Sequence, residues 1–212
     1  MNDISGTSTA RQDGTTGDGE GRLDTRRALA LAMPLLAGRA VVCANGFLSR
    51  WAHAALDRPE HFYMIGSMGL ASSIGLGIAL AQPDRPVAVV DGDGNVLMNM
   101  GTLARIAASR PQHFLHLVID NGVYASTGGQ ATISSEVPLE DVARAAGYAL
   151  ALRVREAPDL EPALRRALAA EGPAMVLVET VADQGPPAPR IEWTPEQIAA
   201  RVRHALGGVS PA

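Results

Sequence analysis

Short apolar runs without polar interruption recur at Ala40 to Ala44, Phe62 to Ile65, Val87 to Val90, Phe114 to Ile119 and Met175 to Val178. Runs of this length that lack an in-and-out alternation fit strands buried on both faces of a sheet. Between them the period changes. Leu139, Val142, Ala143 and Ala146 fall on one helical face, as do Leu160, Ala163, Leu164, Ala167 and Leu168, and Arg26 to Leu36 also reads as helical. Strands alternating with amphipathic helices predict a three-layer α/β/α fold with a mostly parallel sheet. Ligands of such sheets gather at the carboxyl ends of the strands. Three of the runs lead there into an acid: Asp91, Asp120 and Glu179.

The same pattern divides the chain. Residues 1–22 hold almost no large apolar side chain and are expected to form a disordered leader. Residues 23–183 carry the alternation, and 184–212 open Pro-rich and end in a helix predicted from Pro195 to Leu206, capped by Thr194. That tail is expected to pack on a neighbour or on the surface. A length of 212 residues fits one domain with tails. The net charge of -4 comes with no basic run interleaved with aromatics, which argues against nucleic acid. No stretch reaches the roughly 18 apolar residues of a membrane span, and the N-terminus lacks the basic-then-apolar order of a signal peptide. A cytoplasmic protein away from membranes is expected. The single cysteine, Cys43, lies inside an apolar run, where a buried structural thiol is expected.

Candidate chemistry begins at Val89-Val90-Asp91-Gly92-Asp93-Gly94-Asn95. A calcium loop would continue with Gly at its sixth position and Glu at its twelfth, but Val96 and Thr102 stand there. A turn after a strand and a backbone cradle for a phosphate group both remain. Glycines between a strand and a helix let N–H groups approach an anion, and an acid among them, Asp93, calls for a divalent cation between itself and a phosphate. After the next strand comes Asp120-Asn121-Gly122-Val123-Tyr124, with Asn121 placed 28 positions beyond Asp93. One strand-helix-strand unit sets two such loops side by side, so Asp93 and Asn121 could offer hard oxygens to one magnesium ion.

These residues resemble the diphosphate-and-magnesium motif of the thiamine diphosphate enzymes: Gly-Asp-Gly, an interval of this length, then Asn. The resemblance runs from about Val41 to Glu179. Three segments make it closer: Phe62 to Gly75 with Gly66-Ser67-Met68-Gly69 at its centre, Asp91 to Leu103, and Asp120 to Gln130. They are similar to the sulfopyruvate decarboxylase beta subunits, with the phosphonopyruvate decarboxylases as near relatives. The resemblance implies thiamine diphosphate and Mg2+ as cofactors. It implies Asp93 and Asn121 as side-chain metal ligands, Val123 as a ligand through its carbonyl, and Gly92, Gly94, Asn95 and Tyr124 around the diphosphate. The Gly66 carbonyl would accept from the aminopyrimidine, Met68 would lie under the bent cofactor, and Ser67 and Gly69 would lie near the thiazolium. Gly75 and Gly77 are read as packing residues.

The resemblance also implies what comes from elsewhere. A Glu on a pyrimidine-binding domain activates the cofactor in this family. A chain of this length is expected to take it from an alpha subunit, so no catalytic residue is assigned here. The expected reaction converts 3-sulfopyruvate to sulfoacetaldehyde and CO2. Arg50, Ser126, Thr127 and Gln130 are candidates to hold the sulfonate or phosphonate of a small 2-oxo acid. Tyr124 and Ser126-Thr127 lean toward sulfopyruvate. Gly129 fits the phosphonopyruvate pattern, and Trp51 departs from the Ser-Arg-Glu usual in that group. Other readings are an acetolactate-synthase-like carboligase and a non-catalytic partner subunit; one cysteine excludes a cluster-bearing oxidoreductase subunit. His113 and His116 are read as opposite faces of one strand and no metal pair. Surface or capping roles are expected for His53 and His61, and a place on the tail helix for His204.

Overall fold

The computed structural model describes residues 21–181, 183 and 186–207. The leader predicted over residues 1–22 thus lies outside the described residues except for its last two. Four parallel pairings set the main sheet in the order β3 (His61–Tyr63), β2 (Ala40–Cys43), β4 (Val87–Gly92), β5 (Phe114–Asp120) and β9 (Ala174–Val181). Beyond β9, two strands share its outer edge: β8 (Leu150–Val154) beside Ala174 to Val178 and β1 (Leu23–Asp24) beside Thr180 and Val181.

Both faces are covered, which explains the uninterrupted apolar runs. Along β2 and β4 the residues Val41, Cys43, Ala88 and Val90 join one core. That core includes Leu29 of helix α1 (Thr25–Ala32), Ala52 of α2 (Phe47–Ala55) and Leu164 of α7 (Ala157–Leu168). Their neighbours Ala40, Val42, Val87 and Val89 join the other, with Leu76 of α3 (Ala71–Ala81), Ile106 of α5 (Gly101–Ser109) and Ala143 of α6 (Leu139–Ala146). The packing role read for Gly75 holds, because a Cβ there would lie 2.3 Å from a Val89 methyl carbon. Cys43 is fully buried, and burial pushes its thiol pKa up, so it stays an inert apolar group.

Three placements differ from the sequence reading. His113 precedes β5 and has a positive φ of 54°, so the two histidines do not share a strand. His61 is neither a surface nor a capping residue: it is fully buried in β3, its Nδ1 3.2 Å from the Tyr63 hydroxyl, and desolvation lowers its pKa. His53 packs edge-on against Tyr63 and Trp193, with ring centroids 5.2 and 5.3 Å apart. The tail helix, α8 (Pro195–Ala205), starts at Thr194 with a full capping box and buries Ile198 and Val202 against the β3 end of the sheet. Among the described residues no helix is long and apolar enough to cross a membrane.

Candidate active site

Strand order sets where a ligand fits. The chain leaves β2 outward to β3, then returns to β4 on the opposite side of β2, so the connections diverge between the carboxyl ends of β2 and β4. A cavity of about 70 Å³ opens at that point, lined by Asn45 after β2, by Gly92 to Asn95 after β4, and by Asn121, Val123 and Tyr124 after β5. Helix α4 (Asp93–Met98) starts inside the motif with Gly92 as its cap, so the first free N–H groups of a helix face this region. Gly94 has no room for a side chain, since a Cβ would come within 2.4 Å of the Tyr124 ring.

The two acids of the motif diverge. Asp91 is fully buried; one oxygen accepts from the Gly92 N–H at 3.0 Å and from the Asn95 amide, and the other lies 3.0 Å from His116 Nε2. His116 in turn meets the Tyr148 hydroxyl at 3.3 Å. The Asn95 carbonyl oxygen accepts from the Gly69 N–H, while Asn99 donates to the Gly69 carbonyl at 2.9 Å. Gly69, at φ +95°, is therefore pinned through both backbone groups, and its neighbour Met68 reaches the cavity wall.

Asp93 faces a different set. Its Oδ2 accepts from the Thr132 hydroxyl at 2.5 Å; Thr132 lies 3.0 Å from Ser134 Oγ, which donates to Asp120 Oδ1 at 2.8 Å. Thr132 reaches this spot because strands β6 (Val123–Tyr124) and β7 (Gln130–Ala131) form an antiparallel hairpin that folds back, with Thr132 N–H on Gly122 O at 2.9 Å. Burial raises the Asp93 pKa to about 6; the Thr132 hydrogen bond opposes that rise and the nearby Asp120 charge adds to it. Among the described residues no three His, Cys, Asp or Glu side chains group to hold a metal.

Residues 44–178 match the family model described as the thiamine pyrophosphate enzyme, C-terminal TPP binding domain. The chain belongs to this family. Among its relatives, the phosphonopyruvate decarboxylase of Streptomyces viridochromogenes is 47% identical over 164 residues, which cover 77% of this chain and 41% of that protein. The sulfopyruvate decarboxylase subunit beta of Methanothermobacter thermautotrophicus is 41% identical over 170 residues, covering 80% of this chain and 88% of that subunit. The same subunit of Methanococcus maripaludis is 38% identical over 178 residues, 84% of this chain and 95% of the subunit. The chain thus spans 41% of the length of the phosphonopyruvate decarboxylase it matches.

For a thiamine pyrophosphate binding domain, the cavity has suitable walls. Gly94 keeps its floor open, Asn121 and Val123 line it with Asp93, and two buried polar atoms of wall residues, Thr25 Oγ1 and Asn45 Oδ1, have no hydrogen-bond partner among the described residues. Unpartnered buried polar atoms are costly unless a ligand completes them. Met68, Gly92, Asp93, Gly94, Asn95, Asn121, Val123, Tyr124 and Ser126 line this one cavity. The side chain of Asn95 is engaged by Asp91 and Gly69. Gly66 and Ser67 line an exposed groove beside α8 instead. Thr127 and Gln130 are exposed, and the Thr127 hydroxyl lies 3.2 Å from both the Tyr124 carbonyl and Gln130 Oε1. Thr25, Asn45, Thr132 and Ser134 were not legible as site residues; single polar residues at a helix start or in short loops carry no period, and the hairpin's return buries the last two.

Proposed function

We propose that this chain is the diphosphate-binding subunit of a cytoplasmic 2-oxo acid decarboxylase that uses thiamine diphosphate and Mg2+. Its substrate is 3-sulfopyruvate, its products sulfoacetaldehyde and CO2, and its partner an alpha subunit whose pyrimidine-binding domain brings the activating Glu. The observation that carries this reading is the pairing of Asp93 with Asn121 and Val123 at adjacent strand ends around one cavity, whose other carboxylate, Asp183, accepts from the Thr25 N–H at 2.9 Å. Asp93 and the Asn121 oxygen would hold the cation by side chain and Val123 by its carbonyl, while N–H groups from Gly94 onward take the diphosphate. When bound, the cofactor supplies the nucleophilic carbon and the electron sink. The protein's own part would be to fix the diphosphate at Gly94 and Asn95 and to support the cofactor through Met68 and Tyr124, which line the same cavity.

The preference for sulfopyruvate rests on the Tyr124 and Ser126-Thr127 pattern, and two sulfopyruvate decarboxylase beta subunits at 41% and 38% identity support it. Identity favours a second reading, a phosphonopyruvate decarboxylase, through the 47% match to the Streptomyces enzyme. Turnover of both acids by this chain together with a pyrimidine-domain subunit decides between them. A higher kcat/KM for sulfopyruvate supports the first, the reverse order supports the second, and turnover of neither removes the decarboxylase reading.

A further inference from the structure

A second cavity, about 140 Å³, lies on the other side of the β2 to α2 turn. Gly46 lines it while the adjacent Asn45 and Phe47 line the first, so one turn of backbone separates the two. Gly46 has φ +89°, and a Cβ there would crowd Ser126 Oγ at 3.0 Å, so the wall between the cavities is thin and its shape depends on glycine. Ser49 closes the turn by donating to the Gly46 carbonyl at 3.2 Å.

Two arginines line this cavity, the half-buried Arg50 from the first turn of α2 and the exposed Arg190 from the segment before α8. Neither forms an ion pair among the described residues; the nearby acid of the aromatic cluster, Asp57, is taken by Arg201 at 2.7 Å and accepts from Tyr63 at 3.0 Å. Arg50 is half-buried with its guanidinium 5.3 Å from the Phe47 ring centroid, and Phe47 is also a wall of the first cavity. The segment carrying Arg190 is anchored on both sides. Ala188 is buried before it, and Trp193 after it is held by His53 at 5.3 Å and by the Arg201 guanidinium at 3.9 Å. A planar, permanently charged donor on a fixed segment suits an oxyanion with several acceptor oxygens.

We propose that Arg50 and Arg190 form a binding site for a tetrahedral oxyanion, the sulfonate or phosphonate head of the 2-oxo acid, next to the cavity that holds the cofactor. This rests on the decarboxylase reading for the identity of the acid, but the anion site is testable without it. The cations sit on the cofactor's side of the molecule without being part of its cavity, so they select the substrate's distal group and leave cofactor binding alone. Arg50 lies inside the matched family region of residues 44–178 and Arg190 outside it, so the anion site joins the cofactor-binding region to the segment that follows it.

The test uses the full chain in two arms. In the first, wild type, Arg50→Ala, Arg190→Ala and Arg190→Lys are assayed with the pyrimidine-domain subunit, thiamine diphosphate and Mg2+ on sulfopyruvate, phosphonopyruvate and pyruvate. Each alanine is expected to raise KM for the two tetrahedral-anion acids by roughly 10- to 100-fold, with kcat nearly kept, pyruvate unaffected and the lysine variant intermediate. Unchanged KM for the anionic acids, or equal loss on pyruvate, overturns the proposal. The second arm titrates methylphosphonate and inorganic sulfate into the chain alone, read by Trp193 fluorescence and calorimetry. Saturable binding lost in the double alanine variant, with thiamine diphosphate affinity retained, supports the site; no binding to wild type overturns it. If no acid is turned over by wild type, the decarboxylase reading fails and this second arm alone decides the anion site.

Discussion

Two regions of the same site are built on opposite terms. The floor, running from Tyr148 through His116 and Asp91 to Asn95 and Gly69, is buried and saturated with internal hydrogen bonds. The rim, residues 125–131 of the β6 and β7 hairpin, is exposed throughout and bonds mainly to the Tyr124 carbonyl at its own base. Asp93 and Thr132 lie at the boundary. The difference explains how one sheet edge can hold a cofactor rigidly while leaving its approach open: a low-dielectric network fixes the diphosphate cradle, and the hairpin is tethered at its base, where Thr132 reaches Asp93 and the Tyr124 ring lies against Gly94.

The comparison breaks most severely at the floor. Asp91→Ala leaves His116 and the Asn95 amide buried without their acceptor, so thermal unfolding should show a loss of about 3–5 kcal/mol, and Gly69 should lose its anchor. A variant as stable as wild type would mean that the buried network holds nothing together. At the boundary, Thr132→Val keeps the shape and removes the hydroxyl, with an expected cost of about 1–3 kcal/mol and weaker cofactor binding; Thr132→Ser should restore both. Rim variants sharpen the contrast from the other side. Thr127→Ala and Gln130→Ala should change stability by less than about 0.5 kcal/mol, measured in the same unfolding assay.

Titration probes the boundary in another way. Asp93 is raised from 3.8 to about 6 by burial, so the cofactor-free folded chain binds its proton more tightly than the unfolded chain does. That contribution is fully present below the unfolded value and is lost as pH rises through about 6. Without cofactor, stability should therefore fall across this window, whereas with Mg2+ and thiamine diphosphate it should rise, because the cation needs the ionised carboxylate. Melting curves in paired buffers read both slopes.

How much of this was legible in the sequence follows from which physical signal each residue carries. Buried parallel strands announce themselves as unbroken apolar runs, so β2, β4, β5 and β9 were found with ends close to those observed. The edge strand β8 was missed: Arg153 interrupts its run and pairs with Glu140 at 2.7 Å and Glu179 at 3.1 Å, an arrangement only an edge tolerates. Glu179, third of the strand-end acids, proves to be a partner of Arg153 and Arg155, and takes no part in the cavity. Asp93 and Asn121 were legible because glycine spacing and strand order constrain them together. Thr132 and Arg190 were invisible, since each gains its role from a long-range return of the chain that local pattern does not encode.

The most direct test is calorimetric titration of thiamine diphosphate with Mg2+ into the wild-type chain and into Asp93→Asn. The cavity predicts one site per chain in the wild type, a strict dependence on Mg2+, and a loss of at least about tenfold in affinity, roughly 1.4 kcal/mol, in the variant. Equal binding by both proteins, or binding indifferent to the cation, would contradict a metal-bridged diphosphate at Asp93.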